Sequence, residues 1–388
     1  MSEYAFFSFR AIDGCLNDEQ LRFAQRQSSR AEVTRRSLTV EYHYSSFNGD
    51  IHGLLRRGFD IYLHYANYGV SEIKLRLPQG LPFAEDVLSD YLSDEKLIWE
   101  GDTSGRGGIL SICPFHDLVD HQPLLGAEAV LDAAAQIRKC LISGDLRALY
   151  VLWLCSMHHN DVCPWETFEP PVPHGLADML PHGGPLLSFF GLDELILKAA
   201  AEGLPPAPGI ELENQSVALW VATLDEQKLR QSLVKVLTDD SAAEKTTLLA
   251  EFGNFRAHDE WPRTNRQLSL EQLYKRTELL RAEAEAGEKQ RQQQNAKQKA
   301  EQAERDQAIR MQKMLADPDH WLRETDKLAA ARGTDNYKAA ADILYDLREV
   351  IGGLKGKQLA QSQAAKLVHN YPTLGLLKSN LRKRGLLE

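Results

Sequence analysis

The chain has 388 residues, enough for two or three domains at ~150 residues each. Hydrophobic residues make up 43% and charged residues 26%, the balance of a globular chain with a sizeable core. A net charge of −10 argues against a protein that coats nucleic acid over its whole surface, and five cysteines in so long a chain exclude a secreted disulfide scaffold and fit a reducing cytoplasm.

The start carries Glu3, Arg10 and Asp13 among aromatics, unlike the basic-then-apolar order of a signal peptide. No stretch reaches the ~18 apolar residues of a membrane span. A soluble bacterial cytoplasmic protein with no membrane partner is the expectation.

Residues 1–115 read as a small α+β domain with a mixed sheet and a hairpin. Residues 4–12 are aromatic and β-prone, and Asn17 with Gln20 has the spacing of a helix-capping box. Leu38, Val40, Tyr42 and Tyr44 alternate with polar residues, as in a half-buried strand. Ile51, Leu55, Phe59, Tyr62 and Ala66 recur every three to four residues, which predicts an amphipathic helix over 50–67 ended by Gly69. Ile73, Leu75 and Leu77 then predict a strand that Pro78 stops. The order β-α-β-α-β, with a short helix near 86–92 and hairpin strands at 97–100 and 109–113, suggests one mixed sheet with helices on one face.

Residues 126–260 change to a helical period and form a helical domain with proline-rich connectors at 169–175 and 204–209. One of its helices begins at Asp225 and carries the stripe Leu229, Leu233, Val236 and Leu237. Residues 269–316 form a long charged helix opened by the capping box Ser269–Gln272, with no proline and one glycine, Gly287. Its middle is almost wholly Ala, Glu, Gln, Lys and Arg, and acid-before-base pairs such as Glu285–Lys289 each add a few tenths of a kcal/mol. A continuous helix here is ~70 Å long. Without leucine at its a and d positions, it reads as a solvated single helix or a weak coiled-coil partner. Residues 317–388 form a C-terminal helical module with a basic end. The fold expected is therefore an α+β N-terminal domain followed by a mainly helical body, a long charged helix and a small helical bundle, mostly α overall.

Three stretches resemble an uncharacterised bacterial protein family without an assigned activity. They are the opening segments Phe9-Arg-Ala-Ile-Asp13, Ser28-Ser-Arg-Ala-Glu32 and Gly58-Phe-Asp-Ile-Tyr-Leu-His-Tyr-Ala-Asn67; the segment Gly144-Asp-Leu-Arg-Ala-Leu-Tyr-Val-Leu-Trp-Leu154 with Glu169-Pro-Pro-Val-Pro173; and the charged helix with residues 337–348. The segment Lys338-Ala-Ala-Ala-Asp-Ile-Leu-Tyr-Asp-Leu-Arg348, together with the residues C-terminal to it, also looks like the tail of bacterial SWIM zinc-finger proteins. The Cys-x-Cys and Cys-x-His pairs of that finger are absent, so the resemblance implies only a shared interaction module.

The best chemical signal is Cys155-Ser-Met-His158-His159-Asn-Asp-Val-Cys163. Thiolate and imidazole suit Zn²⁺, the only cofactor the sequence suggests, and Cys113, His116 and His121 could add ligands. On one continuous helix, however, Cys155 and Cys163 stand ~12 Å apart, too far to share an ion. The alternative is a buried Cys155 with His158 and His159 at a helix end. Asp60 and His64, one turn apart on the predicted second helix, could form an acid–base pair or an exposed helix pair. The glycine-rich segments at 101–108 and 352–357 lack P-loop spacing, and no Gly-x-Ser-x-Gly, His-Glu-x-x-His or Cys-x-x-Cys occurs. Residues 351–388 hold seven Lys and Arg against one acid, a net +6, which leaves −16 on the rest of the chain. Lys378, Arg382, Lys383 and Arg384 could contact an acidic partner or nucleic acid, or dock on the protein's own acidic surface.

These features suggest a non-enzymatic adaptor that captures protein partners through the long helix and the C-terminal module, held away from the body. A metal-dependent or nucleotide-processing enzyme using the Cys/His cluster, and a nucleic-acid binder using the basic tail, are the other readings.

Overall fold

The computed structural model describes residues 3–78, 83, 85–93, 95–102, 107–114, 126–157, 163–207, 210–238, 241–256 and 261–387. It is an α+β protein, mostly α. Contacts divide the chain into two units, Met1–Glu283 and Ala284–Glu388.

The first unit opens with β1 (Tyr4–Arg10), α1 (Asp18–Gln25), β2 (Glu32–Val33), β3 (Ser37–His43), α2 (Ile51–Arg57), β4 (Ile61–Ala66) and β5 (Val70–Leu77). Then come α3 (Glu85–Ser89) and the hairpin β6 (Leu97–Gly101) and β7 (Gly108–Ile112). The seven strands form one sheet in the order β2-β3-β1-β4-β5-β7-β6. Every pairing is antiparallel, so the sheet is not the mixed one expected from the element order. Three of the neighbouring pairs, β2–β3, β4–β5 and β6–β7, are hairpins joined by short links, and a hairpin needs no crossover.

The predicted helix over 50–67 is a second correction. Only Ile51–Arg57 is helical, and residues 61–66 are a strand near the middle of the sheet. Both faces of β4 are buried, so its apolar residues run together and do not alternate. Such a run, met in phase with a preceding helix, imitates a helical period. Gly69, with φ +96°, serves the β4–β5 turn and ends no helix. Tyr44 also departs from the predicted alternation. Leu38, Val40 and Tyr42 are buried, but Tyr44 lies past the end of β3 and is exposed.

Helices cover both faces of the sheet, not one. On the first face α1 and α2 close a core of Phe7, Phe9, Leu38, Val40, Leu54, Leu55 and Tyr62. On the second, Ile61, Leu63, Ile73, Leu75 and Leu110 pack against α4 (Ala127–Ile142) and α5 (Arg147–Ser156). That second core continues through the helical segment, so residues 1–115 and 126–260 share one hydrophobic interior. The helical segment contains β8 (Val172–Pro173), a 3-10 turn (Leu176–Met179), α6 (Leu180–Phe189), α7 (Leu195–Ala201), α8 (Ile210–Thr223), α9 (Glu226–Val236), α10 (Ser241–Arg256) and β9 (Arg263–Thr264), which pairs with β8. The proline-rich connector before β8 is anchored deep inside. Glu169 is buried, accepts from Tyr150 at 2.8 Å and pairs with Arg266 at 2.6 Å, while Tyr91 donates to the Pro171 carbonyl at 2.6 Å.

α11 (Leu270–Ala316) is a single helix of 47 residues, capped as predicted by Ser269 and Gln272. The unit boundary falls within it. The second unit then adds α12 (Pro318–Ala331), α13 (Thr334–Ile351), α14 (Gly353–Asn370) and α15 (Gly375–Lys383). Its separate core is built from Met314, Tyr337, Leu344, Leu347, Leu367, Leu377 and Leu381.

Candidate functional site

The Cys/His cluster does not assemble as a helical stripe. α5 ends at Ser156, so Cys163 lies off the helix and is exposed, whereas Cys155 is fully buried and burial pushes its thiol far up. His158 and His159 lie outside the described residues, as do His116 and His121. Cys113, a further candidate ligand, is half-buried and its thiol is pushed up to about 11, mainly by burial. Among the described residues no group of three or more His, Cys, Asp or Glu is placed to hold a metal ion.

Asp60 and His64 do not share a helix either. Asp60 joins Arg138 of α4 in a buried cluster. The Arg138 guanidinium donates to both oxygens of Asp13, at 2.8 and 2.6 Å, to Asp60 at 2.9 Å and to the Arg76 carbonyl at 2.6 Å. Asp60 accepts from the backbone N–H groups of Ile12 and Asp13, and Thr246 of α10 donates to Asp13 at 2.7 Å. Burial is the largest single influence and would raise the Asp13 carboxyl, but the hydrogen bonds and charge of Arg138, with the Thr246 hydroxyl, together outweigh it and hold the group below the usual carboxylate range. Burial dominates at Asp60 and raises it, with the Asp13 charge adding to the effect against the pull of Arg138.

His64 instead faces Glu72 across the β4–β5 register. Its Nδ1 lies 3.8 Å from Glu72, Phe7 stacks on its ring at 4.2 Å, and its Nε2 is buried without a hydrogen-bond partner. Lys74 pairs with Glu72 at 2.8 Å and donates to Ser111 at 3.1 Å. The Lys74 ammonium is thus held by a carboxylate and Ser111 is buried, an arrangement that cross-links three strands and presents no open nucleophile. Sequence reasoning missed Glu72, Lys74 and Ser111. The signal for Glu72 and Lys74 is the polar half of the β5 alternation, which reads as a solvent face until the register is known, whereas Ser111 lies within the wholly buried β7.

α9 departs furthest from the usual logic of a surface helix. Asp225 caps it, accepting from the Lys228 N–H at 2.8 Å. Its stripe of Leu229, Leu233, Val236 and Leu237 forms one face, as the spacing predicts, but that face points to solvent. Leu233 is 61% exposed and Leu237 77%, while Ser232 is only 8% exposed. The helix is attached to α10 by its polar side, with Lys228 on Glu251 at 2.8 Å and Lys235 on Glu244 at 3.0 Å. α10 turns its own apolar side elsewhere, packing Phe252 against Trp220 of α8 with ring centres 5.5 Å apart and the rings tilted by 53°. Val217, Leu219 and Val221 of α8 add further exposed aliphatic surface. A surface helix ordinarily buries the apolar stripe and wets the polar one, so α9 is inverted. Comparisons with protein-family models, with curated proteins and with solved structures find no match to the chain.

The basic tail is partly engaged within its own unit. Arg384 pairs with Asp342 of α13 at 2.5 Å and lies over the Tyr345 ring, and Lys378 donates to the Pro372 carbonyl at 2.7 Å. Arg382 and Lys383 are exposed on α15.

Proposed function

We propose that the protein is a non-enzymatic adaptor that binds another protein through the outward aliphatic face of α9. The observation that carries this reading is the inversion of α9, which leaves Leu233, Val234 and Leu237 in water while lysines and a serine fill the intramolecular contact. Contiguous exposed apolar surface of this kind marks interaction sites in monomeric proteins. The occupant is an apolar face of a different protein, and its binding withdraws the stripe from water. The long run of exposed charged residues in α11 supports the same reading, because it keeps the chain soluble without adding a catalytic surface.

The test compares the intact protein with the Leu233→Asp/Leu237→Asp variant. Both side chains are exposed, so the melting temperature is expected to stay within error of the parent. A discrete set of proteins should co-purify with the parent and be lost from the variant, and light scattering should give a parent mass near 43.7 kDa. Identical co-purifying sets would refute the adaptor reading. A doubled mass that the variant reduces to one chain would replace the foreign partner with a second copy.

A further inference from the structure

We infer that α9 is a detachable helix, and that the partner proposed above takes it whole into an apolar groove rimmed with carboxylates. This mode of binding rests on the adaptor reading, whereas the detachment stands without it.

α9 buries one of its 11 residues, Ser232. Lys228 is half-buried and the rest are exposed. An isolated helix of that length is marginal in water, so α9 depends on what attaches it. The attachment is a two-point clasp. Lys228 and Lys235 stand two turns apart on one face of α9, as Glu244 and Glu251 do on α10. The helices pass each other so that Lys228 meets Glu251 at 2.8 Å and Lys235 meets Glu244 at 3.0 Å. Hydrogen bonds from Ser232 and Lys235 hold the Glu244 carboxyl below its usual range. A groove of about 300 Å³ follows the seam, and every residue lining it is polar or charged, Gln227, Gln231 and Thr247 among them.

The two sides of the seam are anchored unequally. On α10, Thr246 donates to Asp13 at 2.7 Å and Ala250 and Phe252 are buried, so that helix belongs to the body of its unit. When the clasp opens it is therefore α9 that leaves. Exposed ion pairs are individually weak and are screened by salt. Apolar packing would resist such screening, but the groove along the seam has no apolar lining. Parting the helices there uncovers no apolar surface, so no hydrophobic burial opposes it. At low salt the clasp stays shut, and rising salt opens it.

Released, α9 has the form of a helical ligand. Leu229, Leu233 and Val236 recur at i, i+4 and i+7, the anchor spacing of a helix that lies in an apolar groove. Lys228, Arg230 and Lys235 against Glu226 give the helix a net charge of +2. Detachment takes the two clasp lysines away from Glu244 and Glu251. A groove with carboxylates at its rim replaces what those acids supplied, and a basic rim would repel the helix. The clasp and the partner thus compete for the same lysines. Affinity for the partner is reduced by the fraction of α9 that stays docked on α10.

The experiment is hydrogen–deuterium exchange of the full chain in about 0.05 M and about 1 M NaCl, read on the amides of α9 with those of α4 as internal reference. α9 should exchange about fivefold faster at high salt, the scale of two exposed ion pairs lost, while α4 is unchanged. Glu244→Gln/Glu251→Gln should exchange at the fast rate in both salts, with melting unchanged. Lys228→Glu/Glu251→Lys, which reverses one pair, should restore the slow, salt-dependent exchange that Glu251→Lys alone loses. Exchange of α9 that is the same in both salts, or that stays slow in the Gln variant, overturns the detachment. For the partner, the probe is the set of proteins that co-purifies with the parent and not with Leu233→Asp/Leu237→Asp. Glu244→Gln/Glu251→Gln should capture that set at about fivefold lower bait concentration. Equal capture would mean that α9 is bound in place on α10, which overturns this mode of binding. Absence of the set refutes the adaptor reading and this mode of binding with it, and the exchange data then decide the detachment alone.

Discussion

Arg138 holds three carboxylate hydrogen bonds at a position only 3% exposed, and removing it would leave Asp13 and Asp60 facing each other without a cation. Breaking a buried pair in this way costs about 3–5 kcal/mol. Arg138→Met is therefore expected to lower the unfolding free energy by that amount in urea denaturation. A loss below about 1 kcal/mol would mean the cluster is peripheral to stability. Glu72 makes a pH-dependent prediction. Burial would raise its carboxyl, but the neighbouring His64 ring and the paired Lys74 ammonium together bring it below the usual range. A carboxyl lowered in the native state stabilises the fold above its unfolded value, near ~4.3, and that contribution is lost as pH falls through the native value. Glu72→Gln should be less stable than the parent at neutral pH and should lose less stability than the parent between about pH 5 and pH 3. Parallel stability–pH curves would contradict this. Neither cluster could be located from residue order, because Asp13, Asp60 and Arg138 meet only through tertiary packing.

Single elements differ in how much their local sequence determines. α1 is capped as its spacing predicts, with the Asn17 side chain accepting from the Glu19 and Gln20 N–H groups and Gln20 reaching back to the Asn17 N–H. Asn17→Ala is expected to cost about 1 kcal/mol in equilibrium unfolding, and no measurable loss would show that the tertiary contacts of α1 suffice without the cap. β4 is the opposite case. Its buried position in the sheet removed the alternation that identifies a strand, so its apolar residues joined the preceding helix in one false period. α9 lies between the two. The stripe on one face was legible and the helix formed, but periodicity records only that a face is apolar, not what covers it. Its neighbour α10 presented acids, and ion pairing took the place of apolar burial.

At the scale of the molecule, two cores, one on each face of the sheet, underlie the first unit, and a third underlies the second. The second unit begins with a stretch of α11 whose residues from 284 to 310 are nearly all exposed. Local opening is cheapest where few apolar contacts must be broken. Brief trypsin treatment should therefore cut first at the Lys and Arg residues between 289 and 310. It should leave a resistant N-terminal fragment and a C-terminal fragment that keeps its helical circular dichroism. Rapid loss of either fragment would show that its core does not hold it alone.

The amino-acid sequence by itself determined the local features: the capping boxes, the strands with one wet face, the long charged helix and the order of helices in the C-terminal module. These depend on contacts between residues a few positions apart, where spacing and side-chain type are sufficient. The tertiary structure alone decided the antiparallel order of the sheet, the sharing of one interior by the N-terminal and helical segments, the outward turn of α9 and the meeting of Asp13, Asp60 and Arg138. Each of these depends on which surfaces find partners across long stretches of chain, and periodicity carries no record of the partner.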